Sequence, residues 1–221
     1  MIAEPAGKPV PEGGVELRRL ARQIATEPAA WTPALATLVA GLFEEMAPAW
    51  DAEHATGRLD FLSDSLARGG PLPEGVCLEL GSGTGQHTAL LAGAFDHAVA
   101  VDLARQMLTR APAHLAPRLQ ADAARLPLAA RSIAAIVCID VLLFPSEIAR
   151  VLREDGVLLW ANQLGAEGPL FLDTPTVLAA LGGSWQAVQA EAGWGNWAVI
   201  RRRGDHTTPT SPSTSCRTTT T

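Results

Sequence analysis

Residues 76–87 read VCLELGSGTGQH. An apolar run closes on an acid, Glu79, and passes into three glycines that alternate with small polar residues. VCLEL reads as a strand, and the stretch from Thr84 to Ala94 reads as the helix after it. Gly81, Gly83 and Gly85 permit tight backbone turns and let a ligand approach the chain without meeting a Cβ. In a doubly wound sheet, ligands bind beyond the carboxyl ends of the strands, first at the loop after strand one. Whether this is such a sheet depends on what surrounds the loop.

Downstream, short apolar runs alternate with helical stretches. AVAVD (98–102), RLQAD (118–122), IAAIVCID (133–140) and GVLLWAN (156–162) read as further strands. Helices are expected over 103–110 and over 145–155, the latter opened by Pro145 and stopped by Gly156. Asp173 or Thr174 caps a helix in PTVLAALGG, and residues 185–203 read as two strands around a turn near Gly193. Strands that are apolar throughout and separated by helices make a parallel sheet covered on both faces. The closing pair has no helix between its members and is an antiparallel hairpin.

Upstream, residues 1–14 are rich in Pro and Gly and form an arm. A short helix is expected over 15–24. In TPALATLVAGLFEEM, Thr32 caps a helix that Pro33 opens. Leu35, Leu38, Val39, Leu42, Phe43 and Met46 then form one apolar stripe at helical period, which Pro48 ends. A further helix over 58–67 stops at Gly69-Gly70. From Gly204 the chain becomes a Thr/Ser/Pro tract with nothing to bury. The expected organisation is therefore an arm (1–14), N-terminal helices (15–70), an α/β domain (71–203) and a tail (204–221).

The bulk numbers fit this reading. At 221 residues, 48% hydrophobic and 18% charged, the chain is long enough for one domain with a substantial core. A net charge of −6 argues against a protein built to grip nucleic acid, since that affinity comes from clustered Lys and Arg. Cys77 and Cys138 sit in apolar runs, and Cys216 lies in the tail with His206. Neither a disulfide framework nor a metal site is expected. No stretch is long enough to span a bilayer, and the start lacks the apolar region of a leader, so a cytoplasmic location is expected.

The loop itself narrows the ligand. A GxGxxG fingerprint needs Gly at position 86, where Gln86 stands, and a P-loop needs GK followed by Ser or Thr. Glu79 would be awkward beside a pyrophosphate and suits a cation. Asp102 ends the second strand, where a carboxylate accepts both hydroxyl hydrogens of a ribose. Asp122 follows the third, placed to accept an amino hydrogen of a base. Together the three acids describe a pocket for a ribose, an exocyclic amine and an ammonium or sulfonium group.

From about Phe43 to Arg202 the chain resembles the class I S-adenosylmethionine-dependent methyltransferases, closest to their small-molecule and quinone-type branch. LELGSGTG is similar to the family's first motif, VDLARQML to the second-strand motif and ADAARLPL to the third. IAAIVCIDVLLF is similar to the fourth, and EIARVLREDGVLLW to the helix and strand that follow. FEEMAPAWD resembles the segment that covers the cofactor in that branch. The resemblance implies a Rossmann-like α/β fold with a seven-stranded, mostly parallel sheet, an antiparallel last strand and an N-terminal helical lid.

It also implies roles for individual residues. Glu79 holds the methionine amino group, with Gly81, Ser82, Gly83 and Gln86 lining the methionine and ribose. Asp102 binds the ribose hydroxyls beside Leu103, Asp122 and the Ala123 backbone read the adenine edge, and Ile139 and Asp140 flank the transferable methyl. The implied partner is a small organic methyl acceptor. Candidates for proton handling are His54, His87, read as partly exposed in the first turn of its helix, and Asp140, while Trp31, Trp50 and Trp160 could stack on a flat substrate. Two features depart from the pattern: DVLLFPSEIA is short and lacks His or Asn, and NQLGAEGPLFLD holds no inserted substrate domain. Alternatives are a nicotinamide-dependent oxidoreductase, which Gln86 and Glu79 oppose, and a non-catalytic domain on the same fold.

Overall fold

The computed structural model describes residues 14–54 and 58–203. The arm up to residue 13, the tail from 204 with His206 and Cys216, and the side chain of His54 lie outside the described residues.

Among the described residues, four α-helices precede the sheet: α1 (Gly14–Thr26), α2 (Pro33–Met46), α3 (Trp50–His54) and α4 (Asp60–Arg68). The alternating part then runs β1 (Val76–Leu80), α5 (Thr88–Ala94), β2 (His97–Asp102), α6 (Arg105–Arg110), β3 (Arg118–Gln120) and β4 (Ile133–Ile139). It continues through α7 (Pro145–Val151), β5 (Leu152–Asn162), α8 (Thr174–Leu181), β6 (Trp185–Ala192) and β7 (Gly195–Arg202). The seven strands form one sheet in the order β3-β2-β1-β4-β5-β7-β6. β1 to β5 are mutually parallel, and β7 runs antiparallel to both β5 and β6.

The sheet is covered on both faces because its central strands alternate between two apolar clusters. Leu158 and Trp160 of β5 pack with Ile24 of α1, Ile148 of α7 and Val177 of α8. Their neighbours Val157 and Leu159 pack with Phe61 and Leu62 of α4 and Leu91 of α5. All of β4 is buried, which explains why IAAIVCI shows no polar alternation. Cys77 and Cys138 are free thiols in this interior, and burial pushes both well above the ordinary thiol range. Among the described residues no helix is long and apolar enough to cross a membrane, and no cluster of His, Cys, Asp or Glu could hold a metal.

Two expectations need correction. The helix after Pro145 stops at Val151, and residues 152–155 already belong to β5. Leu152 pairs with Ile133, after which the ladder bulges until Val157 meets Ala135. Gly156 is therefore a close-packing position and not a helix stop: a Cβ there would lie 3.0 Å from the Ala134 carbonyl. Helix α5 begins at Thr88 and not Thr84, because residues 84–87 are spent in turns. The α2 stripe, on which the sequence made no burial claim, touches the core only through partly buried residues such as Leu35. No residue of that helix is buried, and Leu38 and Leu42 are 70% and 48% exposed. The Thr32 cap on Leu35 is present as expected, and Asp173 caps α8 through Thr176.

Candidate functional site

The glycine loop leaves β1 at the carboxyl edge of the sheet, between the ends of β2 and β4. Gly81, Gly83 and Gly85 all have positive φ, at 67°, 55° and 82°, a region where only glycine is free of strain. Gly81 is also a packing position, since a Cβ there would lie 2.6 Å from Val141 Cγ2. Gly81→Ala should therefore destabilise the protein by about 2–4 kcal/mol, from strain and overpacking together. In thermal unfolding that is a fall of roughly 5–12 °C. Gly93→Ala, in α5 with nothing within 4 Å, is the control expected to leave the midpoint unchanged or raised.

Gly83 differs, because its missing Cβ would meet only Trp50 Nε1, at 3.8 Å. Beside it the Ser82 hydroxyl is buried without a hydrogen-bond partner. Bare backbone, open space and an unused hydroxyl make a cradle for a ligand.

Asp102 meets this cradle through the Gly83 N–H, and Glu79 lies in the strand that leads into it. Glu79 is buried, accepts a hydrogen bond from the Thr88 hydroxyl, and is pushed up to about 7 by burial. Asp102 is also raised, mainly by burial. Its two oxygens accept from the Gly83 and Ala104 N–H groups, both at 2.8 Å, so it holds the loop as well as facing it. Asp102 raises Glu79 by repulsion, and Glu44 does the same to Asp102. The negative charge of the site is thus compressed and favours a cationic ligand.

Asp140 directly follows β4 with φ 46°, a left-handed conformation uncommon outside glycine. One oxygen accepts from the Gln163 N–H at 3.1 Å, while the other is buried with no partner. Burial pushes this carboxyl up to about 6. Ile139 precedes it, nearly fully buried.

Other predicted residues are placed differently. His87 was expected to be partly exposed; it is 8% exposed, edge-on to Phe61, and burial lowers it to about 4. It is therefore neutral near pH 7, and its 3.9 Å approach to Glu79 is not an ion pair. Trp160 is core, with its indole N–H on the Leu172 carbonyl. Gln86 donates to Asp51, and Leu103 offers its carbonyl to Gln120. Asp122 accepts from Ala124 N and from the Trp31 indole N–H at 3.0 and 3.1 Å, with the half-buried Ala123 between them in sequence.

Sequence reasoning missed the residues that bring the N-terminal helices to this edge. Asp51 of α3 accepts from Thr84 and Gln86 of the loop. Glu44 of α2 caps α6 by accepting from the Arg105 and Gln106 N–H groups. The only sequence signal for them was the segment FEEMAPAWD, read as a cover without particular contacts.

Residues 78–160 match the methyltransferase-domain family. No curated protein matches the chain in sequence. Among solved structures, the DhpI–SAH complex superposes with a TM-score of 0.59 at 19% identity, covering 74% of this chain and 94% of that one. A complex of the Haloferax volcanii Trm112 methyltransferase activator with a putative methyltransferase gives 0.57 at 15% identity, over 73% and 98%. A putative S-adenosylmethionine-dependent methyltransferase from Methanococcus maripaludis gives 0.55 at 17%, over 75% and 94%.

Proposed function

We propose that this chain, which has the class I methyltransferase fold and carries a methyltransferase domain of the S-adenosylmethionine-dependent family over residues 78–160, methylates a small organic acceptor by in-line transfer. The observation that carries the reading is the pair of repelling carboxylates, buried Glu79 and half-buried Asp102, with Asp102 holding the open Gly83 loop. Such a pair is stabilised by a ligand that brings a positive charge and hydroxyl donors.

In this reading Glu79 holds the ammonium of the methionine moiety, and Gly81, Ser82, Gly83 and Gln86 line that moiety and the ribose. Asp102 accepts from the ribose hydroxyls next to Leu103. Asp122 and the Ala123 backbone meet the adenine edge, where the Trp31 indole N–H now occupies the carboxylate. The N-terminal helices of residues 15–70 act as the lid, with α2 and α3 tied down by Glu44 and Asp51. Bound S-adenosylmethionine supplies an electrophilic methyl on a sulfonium that leaves as a neutral thioether. The chain therefore has to align the acceptor and exclude water, and a base is needed only where the acceptor must lose a proton. In this reading Asp140, next to Ile139, takes it, being a carboxyl raised by burial to about 6.

The test is thermal unfolding with S-adenosylmethionine, S-adenosylhomocysteine or NADH. A ligand at about a hundred times its Kd stabilises by roughly 2.7 kcal/mol. For a chain of this size the midpoint should rise by about 5–10 °C with both adenosyl compounds. A rise with NADH alone would overturn the proposal.

Binding should also release a proton. Glu79, raised to about 7, is partly protonated in the free protein and must ionise to face an ammonium. Affinity for S-adenosylhomocysteine should therefore increase from pH 6 to 8. Calorimetry in buffers of different ionisation enthalpy reads the released proton directly, and pH-independent binding would remove Glu79 from the ammonium site. The free protein changes in the opposite sense. A carboxyl raised on folding favours the fold below about pH 4.5, and that contribution is lost as pH rises through about 7.

A further inference from the structure

Trp31 stands in the short connection between α1 and α2, just after the single turn Pro28–Ala30. Its indole N–H lies between the two oxygens of Asp122, 3.1 Å from Oδ1 and 3.0 Å from Oδ2. Asp122 is not free to turn aside, because its Oδ1 also accepts the Ala124 N–H at 2.8 Å, a bond within its own turn. The Ala121 N–H on the Asp102 carbonyl continues the β2–β3 ladder, so Asp122 emerges at the same edge of the sheet as Asp102. The indole ring behind the donor nitrogen fills the approach to the carboxylate. A second donor reaches both oxygens only after Trp31 has left.

The surroundings allow this contact to open while the lid stays attached. Ala30, Trp31 and Leu35 touch the core cluster, but none of them is buried, and α2 buries none of its residues. The far end of α2 is tied independently. Glu44 accepts from the Arg105 and Gln106 N–H groups, and Phe43 packs against Ala47, Ala104 and Met107. Trp31 itself is held by the charge-assisted bond to Asp122 and by an edge contact with Phe144, ring centroids 5.2 Å apart. A ligand amine that takes Asp122 replaces the first of these one for one.

We propose that Trp31 is a latch on the adenine end of the cofactor site. In the free protein it occupies Asp122, and S-adenosylmethionine binds by displacing it, which releases the lid at its Trp31 end. The proposal rests on the methyl-transfer reading and adds a closed state to it. Apparent affinity is then lowered by the small fraction of molecules in which Asp122 is free. In the parent chain the bond from the adenine amine is offset by the indole bond it replaces; in a chain without the indole donor it is a net gain.

The experiment is calorimetric titration of the full chain with S-adenosylhomocysteine, in the parent, in Trp31→Phe and in Trp31→Leu. The first variant keeps an aromatic ring against Phe144 and loses the donor; the second loses both. Because the exchanged bond is to a charged group, each variant should bind about tenfold to a hundredfold more tightly than the parent. A second readout follows the latch in the parent directly. Of the indole N–H signals in a ¹⁵N spectrum, the one missing from both variants belongs to Trp31. Its exchange with solvent should be slow in the free protein and faster once S-adenosylhomocysteine saturates the site, which a merely structural tryptophan would not show.

Equal or weaker binding by the variants would overturn the latch, the weaker result making Trp31 a wall of the adenine site. Retained protection of the Trp31 signal in the saturated parent would overturn it as well. In either case binding by the parent leaves the methyltransferase reading standing. If neither the parent nor the variants bind S-adenosylhomocysteine, that reading falls and the latch falls with it.

Discussion

Asp102→Ala is expected to bind S-adenosylhomocysteine at least a hundredfold more weakly than the parent chain. On the proposed reading its carboxylate accepts two ribose hydroxyls, and a hydrogen bond to a charged group contributes about 1.5–3 kcal/mol. Losing both gives roughly 3–6 kcal/mol, or about 10²–10⁴ in Kd. At a concentration that raises the parent midpoint by about 5–10 °C, the variant should therefore move by about 1 °C. The same side chain accepts from the Gly83 and Ala104 N–H groups, so the ligand-free variant should itself be less stable. Removing an acceptor from those donors costs on the order of 1–3 kcal/mol. Each protein's shift must accordingly be read against its own ligand-free midpoint. An unchanged shift in a folded variant would separate Asp102 from the ligand and confine it to holding the loop.

The second large effect concerns Asp140→Asn. If Asp140 receives the acceptor's proton, kcat should fall by about 10²–10⁴ with little change in cofactor affinity. The parent's rate should rise with pH through about 6, because the carboxyl is raised to about that value and acts only when ionised. The variant should lose that limb. Asn is chosen because it tolerates the left-handed φ of 46° and still offers an oxygen to the Gln163 N–H. Its effect on folding has a definite sign. A carboxyl raised from 3.8 to about 6 favours the fold below its unfolded value and loses that contribution as pH climbs through 6. At pH 7 the neutral amide carries no such penalty, so the variant should be at least as stable as the parent. A variant with full kcat would show that the acceptor loses no proton to this residue, and a flat parent profile around pH 6 would agree.

Much of this molecule was legible in one dimension. The apolar runs around 76–80, 98–102, 133–139 and 157–162 have no polar alternation because both sheet faces are covered, and that local pattern suffices to give a parallel sheet. A glycine loop following such a strand, with acids ending strands one to three, is equally a matter of residue type at short spacing. The Thr32 and Asp173 caps belong to the same class, since each acts within three residues of itself.

What the chain order could not carry were contacts between distant segments. Periodicity gave α2 an apolar stripe without saying what covers it, and in the fold Leu38 and Leu42 face outward. His87 looked exposed next to a polar loop, but Phe61 from α4 closes over it and burial removes its charge near neutrality. Residues 152–155 read as helix until Leu152 met Ile133, a ladder bond that outweighs local propensity. Asp122 carries the right side chain in the right place, and only the fold brings Trp31 to it from 91 residues away. The unpaired oxygens of Asn162 and Asp140 are likewise tertiary facts, since a polar atom is left without a partner only by what packs around it. Sequence by itself determined the sheet, the loop and its acids, because those depend on local pattern. The protonation of those acids and the covering of the loop were decided by tertiary structure, because burial and long-range contact set them.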